Sequence, residues 1–507
     1  MGSLFISSES NARRHAVYAI QRTPPLTIRA AGTGIAMLVE QFPWGPSQTV
    51  FRSSGTKQTI DTFAPPGFSH TNAGYYALTQ KSFAELRVLR VTAASGTVAA
   101  TIVVNKTGPT ALITVTLSSV GTAGNSVVGT TSAATDGDAN HFDLTVTITG
   151  ASGTTTDIIR NLNVSGTGAD VIPTAGALAL STKLIASIAK NSAGLPLLAS
   201  FTATSGADGT VAATDYVGTA GTGDKGLAKT EGQTDVRHVF YGDPGNTFRA
   251  ACNTGMKVHV DNQSRRLGYI SGNSGLSSAA TVTDVASYRS QYLYYVDCWA
   301  YINDDVDATR TLVCPASYAA SVASQLSPST SIAWKSPEVI AMLGSIVGLE
   351  FDRGDQIPNQ TDAGIVTLIL EENGGYTFEA DVLTIAPTSP SLANGTRSKM
   401  AIHIASAYTS SIRSMVDAPN VALNQQPLID LLDSLLDGLK RQASLDPNHN
   451  PYIKDYSIDD IDAFNSDVDI QAGKFTVPAS IQTGASMEKI FFSMNIGPNV
   501  KPTVTAR

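Results

Sequence analysis

The chain is poor in charge, in cysteine and in long apolar runs, and each shortage excludes something. Asp, Glu, Lys and Arg make up 15% of the 507 residues, against roughly a quarter in ordinary globular domains. The 34 Lys and Arg are outnumbered by 42 acidic residues, for a formal charge of −8. No nucleic acid partner is expected, because neutralising phosphates takes clustered cations that this sequence does not have. No stretch reaches the ~20 apolar residues that span a bilayer, and the opening MGSLFISSESNARRHAVYAI has no continuous apolar core of the signal-peptide kind. No membrane insertion is expected, and the chain is expected to be made and kept in the cytoplasm or released by lysis. Three cysteines, Cys252, Cys298 and Cys314, are too few and odd in number for a disulfide framework. Their plain reading is reduced, buried thiols. The sharper one is an inter-subunit disulfide, formed where a repeating lattice sets surface thiols side by side in oxidising medium.

Catalytic and cofactor motifs are missing as well. Gly221 to Gly226 fits G-x-G-x-x-G, but no apolar strand precedes it and no helical pattern follows closely, so it reads as a flexible turn. No Walker lysine occurs. The seven histidines are scattered without a zinc-type helical pair, and no G-x-S-x-G elbow sits between strand and helix. Two acidic clusters, Asp304, Asp305 and Asp307, and the run from Asp455 to Asp469, read as solvated turns or interface charge. Asp467 to Gly473 misplaces the glycine of a calcium loop and lacks its bidentate Glu. No catalytic residue, metal site or cofactor is expected, and an enzyme is disfavoured.

What is present is organisation. A chain of this length implies about three domains. Residues 1–25 form a polar arm ending at Thr23-Pro24-Pro25, with one isolated strand, Val17, Tyr18, Ala19 and Ile20, that has no hairpin partner nearby. Residues 26–91 carry an apolar segment Gly34 to Val39, a Pro43 to Pro46 turn, a helix-like stretch over Gly74 to Phe83 and a strand Glu85 to Val91. At Thr92 the composition shifts to Thr, Ala, Gly, Ser and Val. Residues 92–225 are therefore an inserted β-rich domain with strands at Thr101 to Val104, Ala111 to Leu117 and Phe142 to Ile148. Leu, Ile and Ala spacing over 174–191 predicts a helix, which would make the insert α+β. Residues 226–385 resume α/β patterning and complete the 26–91 unit. Residues 386–488 form a last domain with helices over Ser398 to Met415 and Gln426 to Ala443 and a strand over Lys474 to Pro478. Residues 489–507 close the chain with a second unpaired strand, Lys489 to Ile496. The fold class expected is thus multidomain α+β and α/β, with an inserted β-rich domain and strand-forming arms.

Several segments, in their order, resemble contractile phage tail sheath proteins. Thr33 to Pro46 (TGIAMLVEQFPWGP) is similar to that family's strand and "rGP" turn, and Phe83 to Val91 (FAELRVLRV) to its "a-yvvRV" strand. In the insert, Gly124-Asn125-Ser126, Phe142-Asp143-Leu144 and Ile158 to Leu162 resemble its "pG-wGN", "fdl-V" and "f-nls" pattern. The family's opening PGVY is replaced by Arg14 to Tyr18, and its Trp-Gly-x-Arg segment is missing from Leu383 to Arg397. The resemblance implies a virion protein that polymerises helically with copies of itself around an inner tail tube protein, between baseplate and tail terminator proteins. It also implies linkage through added strands: Val17 to Ile20 and Ile490, Phe491, Phe492, Met494 and Ile496 as donors, with Phe475 and Val477 in the receiving sheet. The polar face of the Gln426 to Ala443 helix, with Asp430, Asp433, Asp437, Lys440 and Arg441, is the candidate for contact with the tube. A bacteriocin or other injection-machine sheath shares this physics, and a β-rich decoration or adhesion protein is the rival from another class.

Overall fold

A computed structural model of the chain describes residues 4–6, 18–20, 34–53, 56–67, 85–150, 153–163, 177–179, 182–303, 310–337, 341–342, 356–370, 375–412, 422–445, 453–466 and 475–483. Its centre is a seven-stranded sheet in the order Ile365–Val366, Leu293–Val296, Leu267–Ile270, His238–Tyr241, Ile35–Glu40, Glu85–Arg90, Val50–Ser53. All neighbours are parallel except the last pair. The sheet thus draws on both sides of the compositional change at Thr92. Parallel strands covered on both faces read as unbroken apolar runs, as IAMLVE does. Ala36 and Leu38 point into one core, with the helix Pro315–Gln325, while Met37 and Val39 point into another, with the helix Gly245–Gln263.

The insert is a β-sandwich. One sheet pairs Gly153–Asn163, His141–Gly150, Val128–Ala133 and Ser200–Thr202; the other pairs Ala177–Ala179, Ile185–Lys190, Ala111–Val120, Thr97–Asn105 and Ala207–Asp208. Its own core holds Ile102, Val104, Val115, Leu117, Phe142, Leu144 and Ile188. The helix expected over 174–191 is corrected: the described residues there hold two strands, Ala177–Ala179 and Ile185–Lys190, and the second pairs antiparallel with Ala111–Val120. A short apolar run fits both periods, and the open edge of Ala111–Val120 decides between them. The end of the stretch assigned to the insert by composition packs elsewhere, since Tyr216 lies in the core of the α/β unit.

The last domain packs the helices Gly395–Ile412 and Ala422–Leu445 with an antiparallel pair, Ile453–Ile458 and Ala479–Thr483. Their core is Met400, Ile404, Ala407, Leu432, Leu435, Leu436, Leu439 and Ile453. The helix expected over Gly74 to Phe83 lies outside the described residues.

Candidate assembly surfaces

An open parallel sheet binds ligands outside the carboxyl ends of its strands, where the strand order reverses. Here that point lies between Ile35–Glu40 and His238–Tyr241, and the chain's own side chains fill it. Glu40, 1% exposed, accepts the N–H of Gln41 at 2.9 Å and the N–H of Asp243. Burial, with Asp243 nearby, holds its carboxyl well above the usual range. Arg249, 3% exposed, donates to Asp243 Oδ1 at 2.6 Å and Ser271 Oγ at 3.1 Å, with its guanidinium 4.8 Å from the Trp299 ring centre. A methyl group on Gly242 would lie 1.8 Å from Glu40 Oε2. The glycine-rich loop is likewise self-satisfied: Asp224 Oδ1 accepts from the N–H groups of Thr219 and Lys225, which hold its carboxyl down at about 2, and Gly226 N–H donates to Gln48 Oε1. No group of three metal-ligating side chains occurs among the described residues.

The three thiols are free and buried. Cys252 lies in the core on one face of the sheet and Cys298 and Cys314 in the core on the other. Burial pushes the Cys252 thiol up to about 12, far from the thiolate that exchange needs. None of the three residues is exposed in this chain, so the expected inter-subunit disulfide has no surface thiol to form from.

The candidate tube-facing helix separates as its pattern suggests. Leu431, Leu432, Leu435, Leu436 and Leu439 are buried, while Asp430, Asp433, Lys440 and Arg441 are exposed and Asp437 is half-buried. Most of these charges already have partners within the chain. Lys440 Nζ meets Asp455 Oδ1 at 2.7 Å, Arg441 meets Asp437 at 2.8 Å, and Tyr456 OH donates to Asp433 Oδ1 at 2.9 Å. Gln426 donates to Asp430 at 2.8 Å. The polar face is therefore tied to the strand pair beside it, a coupling that no sequence signal announced.

That strand pair is the receiving-sheet candidate, displaced from its expected place. Phe475 to Pro478 is not a strand; the strand is Ala479–Thr483. Asn465 accounts for the shift. Its side-chain amide donates to Thr476 O at 2.7 Å and its Oδ1 accepts from Thr476 N–H at 2.7 Å, so Thr476 is paired by a side chain where a strand would have paired it. Pro478 has no N–H for a ladder. Phe475 and Val477 are half-buried beside the pair. Only two strands make up this sheet among the described residues, leaving an open edge on each side.

At the amino end, Tyr18–Ile20 is not isolated. It pairs parallel with Leu4–Ile6 in the register Leu4↔Tyr18, Phe5↔Ala19, Ile6↔Ile20. Val17 and the closing strand, with Ile490, Phe491, Phe492, Met494 and Ile496, lie outside the described residues.

No family model matches the chain, and no curated protein matches it by sequence. Solved structures do match it. The sheath tail protein of Listeria innocua is 13% identical with a TM-score of 0.60, over 90% of this chain and 96% of its own. The sheath tail protein of Desulfitobacterium hafniense is 14% identical with a TM-score of 0.58, over 88% and 93%. The helical sheath of the anti-feeding prophage in its contracted state is 11% identical with a TM-score of 0.55, over 95% and 98%. The chain has a tail-sheath-like fold.

Proposed function

We propose that this chain is the sheath subunit of a contractile tail, a structural protein that polymerises helically around an inner tube and shortens to drive that tube through a cell envelope. The observation that carries the reading is the extent of the likeness, which spans 88–95% of this chain and includes insert, α/β unit and helical domain alike. A decoration or adhesion protein would be expected to share one domain at most. A second reading is the sheath of a phage-like bacteriocin or other injection machine, since one of the matching structures is the helical sheath of the anti-feeding prophage. The two readings share one subunit mechanism and differ in what the tube carries.

In this mechanism the strand pair Ile453–Ile458 and Ala479–Thr483 accepts strands from neighbouring subunits, one on each open edge. The donors are the amino-terminal segment around Tyr18–Ile20 and the closing segment Ile490 to Ile496. Backbone hydrogen bonds make such a link strong and still able to pivot. Because head-to-tail links do not close, they propagate a helix. Contraction then rotates folded subunits as rigid bodies, with the strand links kept and the remaining contacts exchanged. Inner tube, baseplate and terminator proteins are the partners of such a tube. Deleting residues 1–20 or 490–507 tests the linkage. Each truncation should leave a soluble monomer with an unchanged far-ultraviolet spectrum and no polymers, whereas normal tubes from both would refute the strand links.

A further inference from the structure

We propose that the β-sandwich insert is mechanically continuous with the α/β unit, and that Arg90 is the residue that makes it so. Arg90 ends the central strand Glu85–Arg90 and is 2% exposed. Its guanidinium reaches both parts at once. On the α/β side it donates from Nε to Phe42 O at 2.8 Å, from Nη1 to Gly45 O at 2.7 Å and from Nη2 to Pro43 O at 3.3 Å. On the insert side it donates from Nη1 to Ser119 Oγ at 2.7 Å and from Nη2 to Val120 O at 2.8 Å. All five donors of the planar fork are used, a geometry that a lysine ammonium cannot copy. No carboxylate is among these acceptors; Asp208 acts on the charge without a hydrogen bond to it, and carbonyl and hydroxyl oxygens set the position of the fork.

Three further contacts keep the insert from swinging about this point. Trp44, from the same turn, is 3% exposed and packs in the apolar core of the insert. The two connecting segments lie against each other, since a methyl group on Gly209 would sit 2.4 Å from Ser95 O. On the other sheet of the sandwich, Thr155 Oγ1 donates to Pro66 O at 2.7 Å, and a methyl group on Gly150 would lie 2.5 Å from Gly67 O. Attachment at two separated places removes the rotations that one hinge would leave. A displacement imposed on the far end of the insert is therefore delivered to the central sheet. This inference concerns the single chain and goes beyond the sheath reading without resting on it.

The test is limited proteolysis of the unpolymerised full-length chain, with hydrogen exchange followed at residues 93–96 and 209–212. In the wild type both connecting segments should resist cleavage. Arg90→Met should raise their cleavage at least tenfold and release an insert and a body that each remain folded, with R90K intermediate. Gly150→Val, remote from the guanidinium, should loosen the insert in the same sense and serves if R90M does not fold. Wild-type connecting segments already cleaved as fast as those of R90M, or R90M and G150V both leaving cleavage and exchange unchanged, would overturn the proposal.

Discussion

At the scale of single residues, two buried histidines make the fold sensitive to acid. Burial pushes His238 and His259 each down to about 3, with Lys399 acting in the same direction on the first and Arg266 on the second. Arg266 Nη1 donates to His259 Nε2 at 3.0 Å, which makes that imidazole a neutral acceptor. The unfolded chain protonates such groups near pH 6.5. Between about 6.5 and about 3 the unfolded state therefore binds more protons, and stability falls as pH falls, by about 1.4 kcal/mol per pH unit for each histidine. Buried Glu40, its carboxyl held up, works in the opposite direction, so the histidine is read by difference: the stability of H259Q, which keeps an acceptor for Arg266, minus that of the wild type should grow as pH falls through 7.5, 6 and 5 in denaturant titrations. A difference that does not change with pH would contradict the neutral assignment. Gly395 makes a second residue-scale prediction. A Cβ there would lie 1.7 Å from Tyr294 OH and 2.2 Å from Asp381 Oδ1, so Gly395→Ala should cost about 1–3 kcal/mol. Neither group was legible in the sequence, because the contacts that matter, such as His238 with Tyr269 and Gly395 with Tyr294, join residues far apart along the chain. Arg90 did leave a trace, a charged residue closing an apolar strand, but only the fold shows what its fork holds.

Among elements, the helix Ala422–Leu445 was legible because its leucine stripe has the helical period and ends in basic residues. Leu436, fully buried, should lose about 2–5 kcal/mol on truncation to alanine, by chemical denaturation. Asp430→Ala, on the exposed face, should change stability by less than about 0.5 kcal/mol. If this face meets the inner tube, D430A and Lys440→Glu should weaken tube binding in co-sedimentation. The wild-type contact should itself weaken in 1 M salt, where charges are screened beyond about 3 Å. Binding unchanged in both arms would move the tube contact elsewhere. Other elements were read less well for reasons that can be named. Residues 185–190 satisfy a helical spacing, but a neighbouring strand edge claims them. The strand expected at Lys474 was moved by the side chain of Asn465, a long-range partner that no local pattern encodes.

For the whole molecule, the change in composition at Thr92 falls just before the first sandwich strand, Thr97–Asn105, and the α/β patterning read on either side of it falls on strands of the central sheet. The exit of the insert was harder to place, because Tyr216 returns to the α/β core before the composition does. Order of motifs carried the sheath resemblance where single motifs were weak, and the likeness of fold extends over nearly the entire chain at 11–14% identity. The central claim, that this chain builds a tube from copies of itself, is tested most directly by negative-stain electron microscopy of the purified full-length protein. The account predicts hollow tubes or stacked rings with helical order; a preparation that stays monomeric or trimeric at every concentration and ionic strength tried would contradict it.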